Sequence, residues 1–252
     1  ADLAWSDHGV DIVVDCSGKL RRHEQCLPHL EAGARQVLVS NPVKGVPNLV
    51  YGVNHQGVAF DDEPILTAAS CTTNCLAPVV RVLHDALGIE RGVITTLHNP
   101  TNTQVVVDRP HNDVRRSRSS LVNLIPTSTN SATAVTLIVP ELAGRLDSIA
   151  VRVPVLNASL TDCAFSMARD TTVEEVNETL RGAADGAMRG ILGYEDRPLV
   201  STDFVHDNRS GIVDAGCTRV VDKRMVKVMI WYDNEWGYVN RMVDLVKCMQ
   251  AT

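Results

Sequence analysis

Asp11-Ile12-Val13-Val14-Asp15-Cys16 is a short β-branched run that stops at Ser17-Gly18. A second run, Arg35-Gln36-Val37-Leu38-Val39-Ser40, follows one helix-length later. Between them His23 to Ala34 carries helix-compatible residues, with Gly33 near its end. Leu49-Val50-Tyr51-Gly52-Val53 and Ile65-Leu66-Thr67-Ala68 read as third and fourth strands. Strands that alternate with helical segments predict βαβ units and a largely parallel sheet. The stretch is short, and no G-x-G-x-x-G occurs anywhere in the chain. The expectation is therefore the second half of a doubly wound nucleotide domain.

From Cys71 onward the pattern changes. A helix from Cys71 to Leu87, stopped by Gly88, leads into a strand over Gly92–Leu97. A polar, arginine-bearing stretch then runs from His98 to about Ser120; irregular segments of this length are usually functional or disordered. Further on, helices are expected over Ser131–Leu142 and Val173–Ala184, with strands around 149–155, 160–167, 219–221 and 226–232. A last helix, Tyr238 to Met249, places Val239, Met242, Val243 and Val246 at helical spacing, as a core-facing stripe would. The expected fold is α/β. An incomplete doubly wound domain over 1–70 precedes an α+β catalytic domain with a mixed or antiparallel sheet over 71–233, and a terminal helix over 234–252 returns to the first domain.

Composition narrows the function. The chain has 252 residues, 44% of them hydrophobic and 21% charged, which excludes a disordered or collagen-like chain. A net charge of −6 leaves no basic footprint for nucleic acid. No run approaches the ~18 apolar residues of a membrane span. The opening Ala1-Asp2-Leu3-Ala4-Trp5-Ser6-Asp7 lacks the charge and hydropathy pattern of a signal peptide. Seven scattered cysteines point to free thiols in a reducing compartment, so a cytoplasmic location is expected.

The most informative segment is Ala69-Ser70-Cys71-Thr72-Thr73-Asn74-Cys75, which puts a thiol where a strand turns into a helix. Outward-pointing N–H groups at a helix start favour thiolate over thiol, and the neighbouring hydroxyls make the same spot an anion pocket. Free cysteine more often serves as a small buried hydrophobe. Cys16, Cys26, Cys75, Cys163, Cys217 and Cys248 are read that way. Cys71 and Cys75 lack C-x-x-C spacing and a second ligand pair, so no metal site is expected.

Ser70-Cys71-Thr72-Thr73-Asn74-Cys75-Leu76-Ala77-Pro78 resembles the active-site signature of the glyceraldehyde-3-phosphate dehydrogenase family. Asp15-Cys16-Ser17-Gly18, Gly52-Val53-Asn54-His55, His98 to Gln104, Ile125-Pro126, Val139-Pro140-Glu141-Leu142, Arg152-Val153-Pro154 and Trp231 to Tyr238 extend the resemblance along essentially the whole chain. The segment without a counterpart here is the family's amino-terminal part, with its glycine-rich cofactor loop and ribose-binding acid. The resemblance implies a Rossmann-type cofactor domain and a homotetramer. The implied reaction is the NAD- or NADP-dependent oxidation of glyceraldehyde 3-phosphate through a cysteine thioester to an acyl phosphate.

Roles follow residue by residue. Cys71 matches the nucleophile, and His98, 27 residues on, the catalytic base that would keep it ionised. Thr101, Thr103 and Arg152 match the substrate-phosphate cluster; an arginine between Val151 and Val153 in a strand calls for an anion partner. Arg118 resembles the arginine that approaches both phosphates, with Arg115 and Arg116 competing for that register. Ser70, Thr72 and Thr129 match the inorganic-phosphate site, Asn234 the nicotinamide carboxamide contact, Tyr238 its packing neighbour and Ser17 a backbone-level cofactor contact.

Asn130 in place of the usual glycine, Pro100, Asn102-Thr103, a shortened loop before Arg118 and Leu160-Thr161-Asp162-Cys163 resemble the branch associated with arsenate resistance, in which arsenate replaces phosphate. The alternatives are erythrose-4-phosphate dehydrogenase, a silent member that keeps only the fold and, more remotely, a cysteine hydrolase. Because the pyrophosphate and ribose contacts have no counterpart in these residues, the 252-residue chain by itself is expected to bind cofactor weakly and to turn over little.

Overall fold

The computed structural model describes residues 3–251, so Ala1, Asp2 and Thr252 of the expected domain ranges lie outside it. The first seventy residues supply β1 (Ile12–Asp15), α1 (His23–Glu31), β2 (Gln36–Val39) and β3 (Ile65–Thr67). The three strands are parallel, in the order β1-β2-β3. Every residue of β2 is buried, as its unbroken apolar run requires of a strand covered on both faces. On one face Val37, Val39 and Ile65 pack with Cys26 of α1. On the other, Leu38 and Leu66 meet Met242, Leu245 and Met249 of the last helix, α5 (Trp236–Gln250).

Leu49–Val53, expected as a strand, makes only a single bridge, from neighbouring Asn48 to Thr67, and then turns. The Asn54 side chain takes the Val50 N–H at 2.7 Å, and the Val53 and Asn54 N–H groups both donate to Val50 O. Gly52, at φ +88°, adopts a left-handed conformation that closes the turn. Local side-chain and turn bonds thus satisfy groups that a ladder would have used.

The remainder forms a seven-stranded mixed sheet with three helices on one face. Its elements are α2 (Cys71–Leu87), β4 (Ile89–His98), β5 (Ile125–Ser128), α3 (Ser131–Ile138), β6 (Leu146–Arg152), β7 (Ser159–Met167), α4 (Val173–Asp185), β8 (Leu192–Glu195), β9 (Gly211–Val221) and β10 (Met225–Tyr232). The strand order is β5-β6-β4-β7-β10-β9-β8, with β4–β6 and β8–β9 parallel and the other pairs antiparallel. Leu76, Leu83 and Leu87 of α2 and Leu180 of α4 fill a core with Phe165, Met167, Val228 and Ile230 from the sheet.

Three expectations need correction. The helix from Ser131 ends at Ile138 because Pro140 has no N–H to continue it; Pro140–Leu142 form a separate 3-10 turn. Strands β5 and β8 were not expected. Pro126 lies inside β5, a sheet-edge strand, where proline is tolerated, and β8 has Gly193, against which the Arg209 guanidinium packs. In α5, Val239 and Val243 are each 47% exposed, and the buried apolar side chains are Met242, Leu245 and Met249. The helix turns its i, i+3, i+7 residues to the first sheet and leaves the valine edge in solvent.

Leu83 is completely buried at the centre of the main core. Leu83→Ala is expected to cost about 2–5 kcal/mol, through lost burial and the cavity left behind. A denaturant titration reads this as a lowered midpoint at constant slope.

Candidate active site

Cys71 is the first residue of α2, and Ser70 is its cap: the Ser70 hydroxyl accepts from Thr73 N–H at 3.1 Å. The Cys71 Sγ lies 3.6 Å from His98 Nε2, at the last residue of β4. His98 Nδ1 is 2.8 Å from the carbonyl of Asn99. A carbonyl only accepts, so Nδ1 carries the proton and Nε2 faces the thiol as a lone pair. The parallel register of β4 and β6 sets Arg152 beside His98. The Arg152 guanidinium donates from Nη1 to the same Asn99 carbonyl at 3.0 Å.

These groups line a cleft of about 860 Å³ together with Ser70, Thr72, Thr101, Thr103 and Thr129. Thr101 and Thr103 hydroxyls lie 3.1 Å apart. Thr129 Oγ1 is 2.7 Å from Ser131 Oγ, and exposed Asn130 lies between them on the cleft wall. The Thr72 hydroxyl is buried 2.9 Å from the hydroxyl of Tyr232. The wall thus presents hydroxyls and the half-buried Arg152, with Arg21 and Lys44 also lining the cleft, a set suited to oxyanions.

The surroundings pull the thiol in two directions. Burial pushes the Cys71 thiol up, and hydrogen bonding from Thr72 and the charge of Arg152 only partly oppose it. Burial, then the positive charge of Arg152, lowers His98 to about 4. Both shifts favour the uncharged form of each partner, and Nε2 presents its lone pair to the thiol. Burial also lowers Arg152 first, with the charge of Arg116 acting in the same direction.

Other expected residues lie elsewhere. Arg118 is exposed and paired with Asp108 at 3.0 Å, outside the cleft. Arg116 is the arginine that turns inward: its Nε donates to Thr127 Oγ1 at 2.7 Å, and its charge acts on Arg152. With arginines at 115, 116 and 118, spacing alone could not choose among them; the half-buried contact with β5 does. Ser17 follows β1 and donates to Asp15 Oδ1 at 2.9 Å. Tyr238 bonds through its hydroxyl to the carbonyls of Ser40, at 2.6 Å, and Ala69, at 3.1 Å. Ser17, Ser40 and Ala69 all follow parallel strands at their carboxyl ends, the side on which doubly wound sheets take nucleotides. Asn234 is buried, and its Oδ1 accepts from the Ser159 hydroxyl at 2.9 Å. Asn99 and Ser159 carried no sequence signal, because they act through a backbone carbonyl and a buried hydroxyl. The cysteine reading also needs amendment: Cys16 is exposed beyond β1, and Cys217 and Cys248 are half-buried.

A thiol–imidazole pair and a half-buried arginine at one cleft, beside a parallel sheet of nucleotide-binding type, are the parts of an oxidoreductase. The family model described as glyceraldehyde 3-phosphate dehydrogenase, C-terminal domain, matches residues 70–234. Glyceraldehyde-3-phosphate dehydrogenase 3 of Nostoc sp. is 56% identical over 98% of this chain and 74% of its own length. The enzyme named glyceraldehyde-3-phosphate dehydrogenase in Pseudomonas aeruginosa is 52% identical over 100% of this chain and 74% of its own, and that of Zymomonas mobilis 50% over 100% and 75%. The chain belongs to the glyceraldehyde-3-phosphate dehydrogenase family.

Two measurements test the electrostatics. With the thiol raised by burial, alkylation of Cys71 by iodoacetamide should climb about tenfold per pH unit through neutrality, as its thiolate fraction grows; a rate flat between pH 5 and 7 would show a preformed ion pair. His98 titrates near 4 when folded and near 6.5 when unfolded. Its contribution to stability is complete above the unfolded value and is lost as pH falls through the folded one. The loss reaches about 3 kcal/mol by pH 4. Paired denaturant titrations of wild type and His98→Asn should therefore differ by that amount between pH 7 and 4.

Proposed function

We propose that the chain carries the catalytic half of a phosphorylating aldehyde dehydrogenase that acts on glyceraldehyde 3-phosphate. The observation that carries the reading is the approach of the Cys71 sulfur to the unprotonated Nε2 of His98, inside a cleft of hydroxyls and the half-buried Arg152. The thiol adds to the aldehyde carbonyl, forming a C–S bond, and its proton passes by way of His98 to the carbonyl oxygen. His98 Nε2 then takes the hydroxyl proton as the hemithioacetal carbon is oxidised to a thioester. An oxygen of phosphate or arsenate attacks the thioester carbonyl; the C–S bond breaks and the thiolate leaves. Arg152, Thr101 and Thr103 anchor the substrate phosphate, and Ser70, Thr72 and Thr129 face the attacking oxyanion.

A nicotinamide dinucleotide, NAD or NADP, supplies the hydride acceptor when bound. The donor set fits it. Ser159 occupies Asn234 Oδ1, which leaves Nδ2 as a donor for a carboxamide oxygen, while Tyr238 and Ser17 stand at the carboxyl edge of the parallel sheet. The assembly we propose is a homotetramer. Supporting it, Val106, Val107, Val114, Leu121, Val122 and Leu124 of the long loop and Val93 and Ile149 of the open sheet face are exposed, more than scattered surface apolar residues would account for.

Acyl transfer back from an acyl phosphate tests the thiol chemistry without cofactor. Incubation with 3-phosphoglyceroyl phosphate should give a hydroxylamine-labile mass adduct on the Cys71 peptide, absent in Cys71→Ala. Arg152→Ala should slow that acylation about 30- to 150-fold, the equivalent of the ~2–3 kcal/mol of a charge-assisted contact. No adduct on the wild-type chain would leave only a silent relative.

A further inference from the structure

Of the residues that line the cleft, two hold a buried polar atom with no hydrogen-bond partner among the described residues: the Thr96 hydroxyl and Asn41 Oδ1. An amide oxygen only accepts, whereas a hydroxyl can donate, so an anion can use Thr96 alone of the two. Thr96 is 1% exposed and stands on β4 two residues before His98, on the same face of the sheet. The parallel register sets Ala150 opposite Thr96 as it sets Arg152 opposite His98, and all four line the cleft. Other hydroxyls of the cleft have found partners. Ser70 Oγ lies 2.7 Å from Thr73 Oγ1, Thr72 Oγ1 2.9 Å from the Tyr232 hydroxyl, Thr129 Oγ1 2.7 Å from Ser131 Oγ, and the Thr101 and Thr103 hydroxyls 3.1 Å apart. Thr96 has no such relief from its neighbours. On the β7 side it faces Thr161, whose hydroxyl lies 3.9 Å from Cys75 Sγ, and on the β6 side Ala150 offers only a methyl group.

We propose that the Thr96 hydroxyl is a further donor to the inorganic oxyanion that attacks the acyl group, at the floor of the subsite faced by Ser70, Thr72 and Thr129. This rests on the reading of the cleft as an oxyanion site and adds a residue to it. The argument is one of opposed signs. A hydroxyl shut away from water without a partner is destabilising, and valine would fill the same β-branched shape without that cost. In the empty cleft the hydroxyl therefore weakens the fold. It becomes favourable only when an acceptor arrives, and a tetrahedral oxyanion carries several acceptor oxygens. The short side chain of Ala150 leaves room beside the threonine, and the donor needs at most a staggered turn about χ1, which exchanges hydroxyl and methyl. A neutral donor at this depth adds a directed hydrogen bond to the charge already supplied by Arg152. The protein thus holds an unmet hydrogen bond that anion binding completes, a trade of stability for function.

Sulfate binding and unfolding, measured on the same proteins, test this without cofactor. Sodium sulfate stands in for the tetrahedral oxyanion in a calorimetric titration, compared with sodium chloride at matched ionic strength. Thr96→Val should weaken sulfate about three- to tenfold, the range of one hydrogen bond, while Thr96→Ser keeps the wild-type affinity. The same loss should appear in Arg152→Gln, where the substrate-phosphate anchor is gone and the remaining binding reports the other subsite. The empty proteins should show the opposite order: the denaturant midpoint of Thr96→Val lies at or above that of wild type. Unchanged sulfate affinity in Thr96→Val overturns the proposal. A fall in both midpoint and affinity also overturns it, since the hydroxyl then has a structural partner. If the weakening vanishes in the Arg152→Gln background, Thr96 does not serve the attacking oxyanion and the assignment falls. If wild type binds no sulfate, the oxyanion reading falls and the proposal with it. The thiol chemistry fails separately: a chain that takes up no acyl group, yet loses sulfate affinity with Thr96→Val, retracts the reaction and upholds the donor.

Discussion

The parallel pairing of β4 with β6 is the constraint from which the site follows. It fixes His98 opposite Arg152 at the ends of two central strands, and the chain then turns so that one carbonyl, that of Asn99, holds both side chains. Helix α2 lies over the same sheet, and its first residue brings the Cys71 thiol to the ring. The core under this arrangement is the apolar face of α2 against β7 and β10. A change in that packing would move the thiol relative to the imidazole, so the stability of the core and the geometry of the chemistry are one problem.

A half-buried arginine costs desolvation, and among the described residues no carboxylate pairs with Arg152; its donor meets a backbone carbonyl. The proposed partner of this cation is an anion that arrives from outside. The same charge lowers both the thiol and the imidazole, yet it acts against different amounts of burial. For Cys71, burial and the cation oppose each other; for His98, they act together. The opposite charge signs of the two conjugate forms explain why one arginine opposes burial at one residue and reinforces it at the other.

Much of this was legible in the sequence. The boundaries of α2, from a capping serine to Gly88, are a local matter of cap chemistry and periodicity, and they agree with the structure. The parallel strand β2 shows as an apolar run because burial on both faces leaves no room for alternation, whereas β1, outside it in the sheet order, buries Val13 and exposes Val14. What was illegible depends on long-range geometry. Leu49–Val53 has strand composition, but the Asn54 side chain claims its backbone; Val239 and Val243 have helical spacing, but the sheet lies against the neighbouring face. Three arginines crowd one loop, and only the fold shows that Arg116 turns inward while Arg118 turns out. The surroundings of the thiol divide in the same way: a helix start can be read from sequence, whereas the burial that opposes it cannot.

The two sheets meet through the ends of their elements, and this gives the last piece of the architecture its sense. Helix α5 begins just after Asn234 and runs back along the parallel sheet, burying Met242, Leu245 and Met249 against Leu38 and Leu66. Its first turn sets Tyr238 on the carbonyls that follow β2 and β3, while Asp233, one residue before Asn234, accepts from the N–H groups of His206, Glu235 and Trp236. Asn234 is therefore held from three directions: by a cap bond network in front, by Ser159 of the mixed sheet behind, and by a helix anchored on the parallel sheet beyond it. A side chain restrained in this way orients its amide without paying conformational entropy at the moment of binding. The same segment that closes the fold thus carries the amide proposed to face the cofactor, and neither sheet alone could place it.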